Sequence, residues 1–140
     1  MSEITIWEFP VPSASLSVVG ICLVSGRGGT MLRFNYRDIH DGGRPKHGGL
    51  RFELVQAASW KPEHSRDGIR GHDRLVEVLG SEWVSEFTGM WGNNPSFRRR
   101  GMPRHFAICL DGAGQFDFLA HYYEIMEARD GFDEIYRRPE

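Results

Sequence analysis

The chain has 140 residues, 40% of them hydrophobic and 12% aromatic, enough apolar surface to bury a core and too much for a disordered segment. Seventeen Lys and Arg against nineteen Asp and Glu leave a formal net charge of −2, so bulk charge does not argue for a nucleic-acid or membrane partner. No run reaches the length of a membrane span and the first residues do not read as a leader, so the expectation is a single domain over 1–140 in the cytoplasm. Cys22 and Cys109 both lie inside apolar runs and read as buried free thiols, which suits a reducing compartment.

Residues 4–9 look like a strand, and Pro10 and Pro12 make it a short edge strand because neither can donate to a ladder. The run 16–24 is apolar on both faces and predicts a central strand. Ser25, Gly26, Arg27, Gly28 and Gly29 form a turn, after which Leu32, Phe34 and Tyr36 alternate along a second strand. Gly26, Arg27, Gly28, Gly29 and Thr30 invite a phosphate-loop reading, but the Lys and the following helix of such a loop are missing.

Residues 38–49 hold Asp41-Gly42-Gly43, Pro45 and Gly48-Gly49 and read as an exposed loop, with a third strand over 50–55. A second long loop is expected over 60–70. Leu75, Val76, Val78 and Leu79 favour a short strand or extended entry into a helix at about 81–90. There Trp83, Val84, Phe87, Met90 and Trp91 form one apolar stripe and Ser81 is placed to cap the first turn. Gly92, Asn93, Asn94 and Pro95 end that element, a linker leads to the closing hairpin, and 130–140 reads as a loose tail or a helical turn around Phe132 and Tyr136.

The hairpin over 104–123 organises the rest. A two-residue loop would mix polar with apolar partners. A three-residue loop of Gly112, Ala113 and Gly114 places Leu110 opposite Phe116, Ile108 opposite Phe118 and Phe106 opposite Ala120, one continuous apolar face. The other face then pairs Cys109 with Asp117, Ala107 with Leu119 and His105 with His121. The fold class is therefore α+β: a mainly antiparallel curved sheet or β-sandwich of six to seven strands, with one principal helix (about 81–90) covering one apolar face.

Two constellations could carry chemistry. His105 and His121, neighbours in this register and with Asp117, Asp111 or Tyr123 nearby, would suit a divalent transition metal or an acid–base pair. Arg98, Arg99, Arg100 and Arg104 put four guanidinium groups within seven residues, suited to carboxylates or phosphates. His40 and His47 sit in the Gly-rich loop without a partner at fixed spacing. Neither a Ser-His-Asp nor a Cys-His arrangement can be argued, and Asp117 beside Cys109 would make that thiol a poorer nucleophile.

The segments Leu75-Val76-Glu77-Val78, Ser81-Glu82-Trp83-Val84, Arg104-His105-Phe106-Ala107-Ile108 and the run from Asp111 through Gly114, Phe116 and Asp117 to Leu119-Ala120 resemble small bacterial proteins, some of them similar to immunity proteins that neutralise toxins. The resemblance covers about the C-terminal half and brings no catalytic residues. It implies a cytoplasmic, non-enzymatic protein-binding module that occludes a cognate toxin. The expected anchors are Arg98, Arg99, Arg100, Trp91 and Trp60, with the acidic loop residues Asp38 and Asp41; no cofactor is called for. The competing expectation is a small metal- or ligand-binding protein, with enzymatic activity left open, using His105 and His121.

Overall fold

The computed structural model describes residues 2–26, 29–62 and 69–134, apart from the side chain of Phe97. Within these, nine strands form two antiparallel sheets beside one main helix, two or three strands more than the pattern predicts. The strands are β1 Ser2–Glu8, β2 Val18–Gly26, β3 Gly29–Asp38, β4 Arg44–Glu53, β5 Ala57–Lys61, β6 Arg74–Leu79, β7 Arg104–Leu110, β8 Gly114–Ala120 and β9 Tyr122–Asp130; α1 spans Glu82–Trp91 and α2 Pro95–Arg100. One sheet has the order β1-β6-β7-β8-β5 and the other β2-β3-β4-β9.

The alternating residues of β3 behave as expected: Leu32, Phe34 and Tyr36 are buried. They share one core with Leu50 and Phe52 from β4 and with Phe106, Ile108, Leu110, Phe116 and Phe118 from the other sheet, the arrangement of a sandwich. What couples the sheets is a corner. β4 pairs with β9 down to Glu53 opposite Tyr122, and β5 takes up the pairing with β8 at Ala57 opposite Leu119, so a single two-stranded ribbon bends from one sheet into the other. Backbone bonds continue through the bend, from His121 N to Glu53 O at 3.2 Å and from Gln56 N to Leu119 O at 2.7 Å. Leu54 adopts φ 53° there, a left-handed conformation costing a branched residue about 1–2 kcal/mol. Folding the ribbon over lays Phe52 on Phe118, ring centroids 4.2 Å apart, and beside Phe106 at 5.8 Å.

The hairpin of β7 and β8 keeps its predicted faces but not its predicted register. Phe106 lies opposite Phe118, Ile108 opposite Phe116 and Leu110 opposite Gly114, and His105 faces Leu119, not His121. The loop is Asp111-Gly112-Ala113, closed by Ala113 N on Leu110 O at 3.0 Å. Gly114 belongs to β8 because β5 runs beside it: a Cβ there would fall on the Lys61 carbonyl, and the Trp60 indole N–H donates to Ala113 O at 2.7 Å.

Four further expectations change. The run 16–24 supplies an edge strand, since β2 ends its sheet and leaves Val19, Leu23 and Val24 partly exposed. Most of 38–49 is strand, with Gly48 and Gly49 lying under neighbours: a Cβ at Gly48 would come within 2.9 Å of the Phe34 ring. Trp60 lies in β5 rather than in a loop, while 63–68 fall outside the described residues. Residues 122–130 form β9, and Asn35 then grips Asp133 through both backbone groups, at 2.7 and 2.8 Å; 135–140, with Tyr136, lie outside the described residues, as do Arg27 and Gly28 of the first turn. The helix also sits differently. None of its residues is buried, so α1 flanks β7 instead of closing an apolar face. Of the two cysteines, Cys109 is buried and Cys22 only half-buried; both are free.

The corrected register makes a testable contrast. Gly112 has φ 80° with open space around its Cα, whereas Gly114 combines φ 116° with the Lys61 backbone. Gly112→Ala should cost about 1 kcal/mol in urea unfolding and Gly114→Ala at least about twice that. Equal costs would place both glycines in the loop.

Candidate functional site

The position of α1 follows from one line of polar side chains. Ser81 caps the helix, its Oγ accepting from Val84 N at 3.3 Å, and its hydroxyl also meets His105 Nδ1 at 2.7 Å. His105 Nε2 donates to Asp117 Oδ1 at 2.6 Å, and Arg70 Nε donates to the same oxygen at 3.0 Å. Burial by itself would push the Asp117 carboxyl up, but the bonds from His105 and Arg70 outweigh it and hold the group below its usual range. As an ionised acceptor, Asp117 fixes the His105 proton on Nε2, which leaves Nδ1 to accept from Ser81. The Trp83 ring packs edge-on against the imidazole at 5.3 Å. The helix N-terminus is thereby tied to β7 and β8.

Ser81, His105 and Asp117 stand in the order of a hydrolytic triad that the sequence does not reveal. Their chemistry is structural. Ser81 is 5% exposed, and its hydroxyl is already shared between a helix N–H and an imidazole, which leaves no approach for a substrate carbonyl. Both ring nitrogens of His105 are engaged, so it cannot ligate a metal without giving up its bond to Ser81 or to Asp117. The expected His105, His121 and Asp117 set therefore assembles only in its first and last members.

His121 stands at the corner, where it helps to line a cavity of about 330 Å³ with Gln56, Phe87, Trp91, Asn94, Ser96 and Arg100. Each wall has a local cause. Gln56 and His121 are placed by the bend of the ribbon. Phe87 and Trp91 stack at i, i+4 on α1, ring centroids 6.3 Å apart. Gly92 closes α1 with its N–H on Thr88 O, and Asn94 accepts from Ser96 N at 2.9 Å as Pro95 opens α2. The arginines predicted in a linker thus lie on a short helix. Arg98 turns back to Gly92 O at 3.2 Å and Asn93 Oδ1 at 3.3 Å and braces the turn, while Arg99 and Arg100 meet no carboxylate among the described residues. Burial, with the Arg100 charge beside it, lowers the His121 pKa, and its Nε2 is enclosed with no hydrogen-bond partner among the described residues.

Of the predicted anchors, the fold brings Trp91 and Arg100 to this cavity, with Arg98 and Arg99 on the same helix as Arg100. Trp60 lines a different hollow, beside β2. Asp38 and Asp41 close the β3–β4 turn on Lys46, at 2.8 and 3.1 Å, and the Lys46 bond draws the Asp38 carboxyl below its usual range. Arg104 pairs with Glu77 at 2.6 Å and lies over the Phe106 and Tyr123 rings, apart from the cluster it was grouped with. His47 meets Gly131 O at 2.9 Å.

Asp111 pairs with His72 at 2.9 Å, and with Asp73 these are the residues that could hold a divalent cation, their ligand atoms lying within 4.8 Å of one another. The group is satisfied internally, since Ser13 donates to Asp73 through its hydroxyl and its backbone N–H. Sequence reasoning missed Gln56, Asn94, Ser96 and Arg70. Only the Asn94-Pro95-Ser96 turn carried a readable signal, the start of α2.

Among the described residues, no helix is long and apolar enough to cross a membrane. No protein-family model matches the sequence, and neither a curated protein nor a solved structure matches it.

The two shifted histidines make opposite contributions to stability. His121, lowered in the fold, is neutral in both states above about pH 6.5; below that the unfolded chain takes the proton first and stability is lost until the folded pKa is passed. His72, raised chiefly by its bond to Asp111, stabilises fully below about pH 6.5 and loses that contribution as pH rises through its folded pKa. Urea midpoints across pH should therefore fall less steeply in acid for His121→Gln, whereas His72→Gln should be weaker than the parent in acid and equal to it in alkali. Ser81→Ala should cost about 1–3 kcal/mol, the lost cap plus an orphaned His105 nitrogen.

Proposed function

We propose that this protein is a non-enzymatic binding module for another protein, and that α1, α2 and the corner form its contact face. One observation carries the reading. Arg99 and Arg100 stand without carboxylate partners among the described residues, and Arg100 lines a cavity together with Trp91, itself 49% exposed, in a chain of net charge −2. Trp and Arg are the residue types that dominate interface energetics when a partner desolvates them. Met90 and Met102, exposed on the same segment, add adaptable apolar area.

The most specific form of the proposal follows the sequence resemblance: a bacterial immunity protein, acting in the cytoplasm by covering the active surface of a cognate toxin. Three arginines on one turn suit a compact acidic patch on a protein better than nucleic acid, which needs a longer basic footprint. A metal or ligand site built on His105 and His121 has lost its geometric basis, because the two are not opposed and His105 is fully engaged.

The test is co-purification with the protein encoded beside it, followed by titration. A stoichiometric complex is expected, with Arg99→Glu/Arg100→Glu weakening it by about 2 kcal/mol or more, roughly thirtyfold in Kd. Failure to recover any stoichiometric partner from the native host rejects the module reading. Unchanged affinity in the double variant rejects this face.

A further inference from the structure

We infer that the cavity between Trp91, Arg100 and His121 is a receptor for one acidic side chain, a glutamate or aspartate, presented by a segment of the protein partner. The inference deepens the reading of this face as a partner surface and rests on it.

The argument is one of complementarity. Among the described residues no carboxylate lines the cavity, so none of them neutralises the Arg100 charge from within. Around it stand groups able to donate to an oxygen: the amides of Gln56 and Asn94 and the hydroxyl of Ser96. Phe87 and Trp91 supply an apolar wall that displaces water and so strengthens a charge-assisted bond.

The alternatives fit less well. A cationic group would meet Arg100 directly. An apolar side chain would desolvate a guanidinium and several amide groups without replacing their hydrogen bonds. A carboxylate on a short aliphatic stem satisfies both halves, the oxygens on Arg100 and the methylenes against Trp91. The volume, about 330 Å³, stands at the low end of the roughly 300–1,000 Å³ of small-molecule sites and is ample for one acidic side chain.

Solution NMR of the full chain tests this, following the Trp91 indole and Arg100 Nε–H signals. The probe is a capped hexapeptide with one central glutamate between leucine and glycine residues, compared with its glutamine counterpart and with succinate. Saturable shifts of both signals are expected with the glutamate peptide, at least about tenfold weaker binding of the glutamine peptide, and loss of binding in Arg100→Met. Arg100 is exposed, so that variant should keep the parent's circular dichroism. Trp91→Leu, a second variant, should weaken binding several-fold.

Equal affinity for glutamate and glutamine peptides overturns the inference, as does the absence of a saturable shift. Succinate binding as tightly as the peptide overturns the assignment to a protein segment. The outcomes separate from those of the co-purification test. A peptide that fails to bind while Arg99→Glu/Arg100→Glu still disrupts the complex removes the receptor and leaves the face. Peptide binding with an undisturbed complex rejects the face and, with it, the assignment of the cavity to a segment of that partner.

Discussion

The fold depends on one bent ribbon. β4 and β9 pair in one sheet, β5 and β8 in the other, and the chain passes between them with only residues 54–56 on one side and His121 on the other. Because both ladders belong to one antiparallel pair, the sheets cannot slide independently without breaking backbone bonds at Glu53, Gln56, Leu119 and His121. The stack of Phe52 on Phe118 fills the inside of the bend. Burying such a ring is favourable by roughly 1.5–3 kcal/mol, the order of the left-handed strain at Leu54 that the bend imposes. The outside of the same bend presents Gln56 and His121 to the cavity, so the element that joins the sheets also builds half of the candidate site.

The other half is placed by polar chemistry. None of the α1 residues is buried, so apolar burial alone does not hold the helix against the sheet. The line from Val84 N–H through Ser81, His105 and Asp117 to Arg70 does so instead, running from the helix start across β7 and β8 to the segment before β6. Buried polar groups stabilise only when every member is satisfied, and each member here has a partner. Directional bonds also fix the helix about its axis in a way that a greasy contact would not. That orientation is what sets Phe87 and Trp91 facing Gln56 and His121.

Charge is partitioned between the two ends of this construction. Asp38 and Asp41 spend their charge on Lys46 inside a tight turn, and Arg104 spends its own on Glu77. Arg99 and Arg100 meet no carboxylate among the described residues, and Arg100 stands where the two helices and the corner meet. Arginines that no carboxylate among the described residues compensates, on the segment that also carries the aromatic wall, supply there the charge and apolar area for an acidic partner.

Alternation in the sequence determined which residues share a face. Leu32, Phe34 and Tyr36 line the core, Phe106, Ile108, Phe116 and Phe118 share one side of a hairpin, and Ser81 starts a helix, all as side-chain period and capping chemistry require. Register was beyond its reach, because a slip of two residues returns every side chain to the face it left, and the apolar pattern is identical before and after. Lys61 and Trp60, on a strand the hairpin itself does not contain, settled the slip by occupying the space beside Gly114, and His105 thereby exchanged His121 for Asp117 and Ser81. Apolarity also reports what a strand can bury and not where it sits in a sheet, which is why β2 lies at an edge and the glycines of β4 lie in a strand. The cavity, drawn from three segments far apart in the chain, exists only once the ribbon bends and the polar line orients α1.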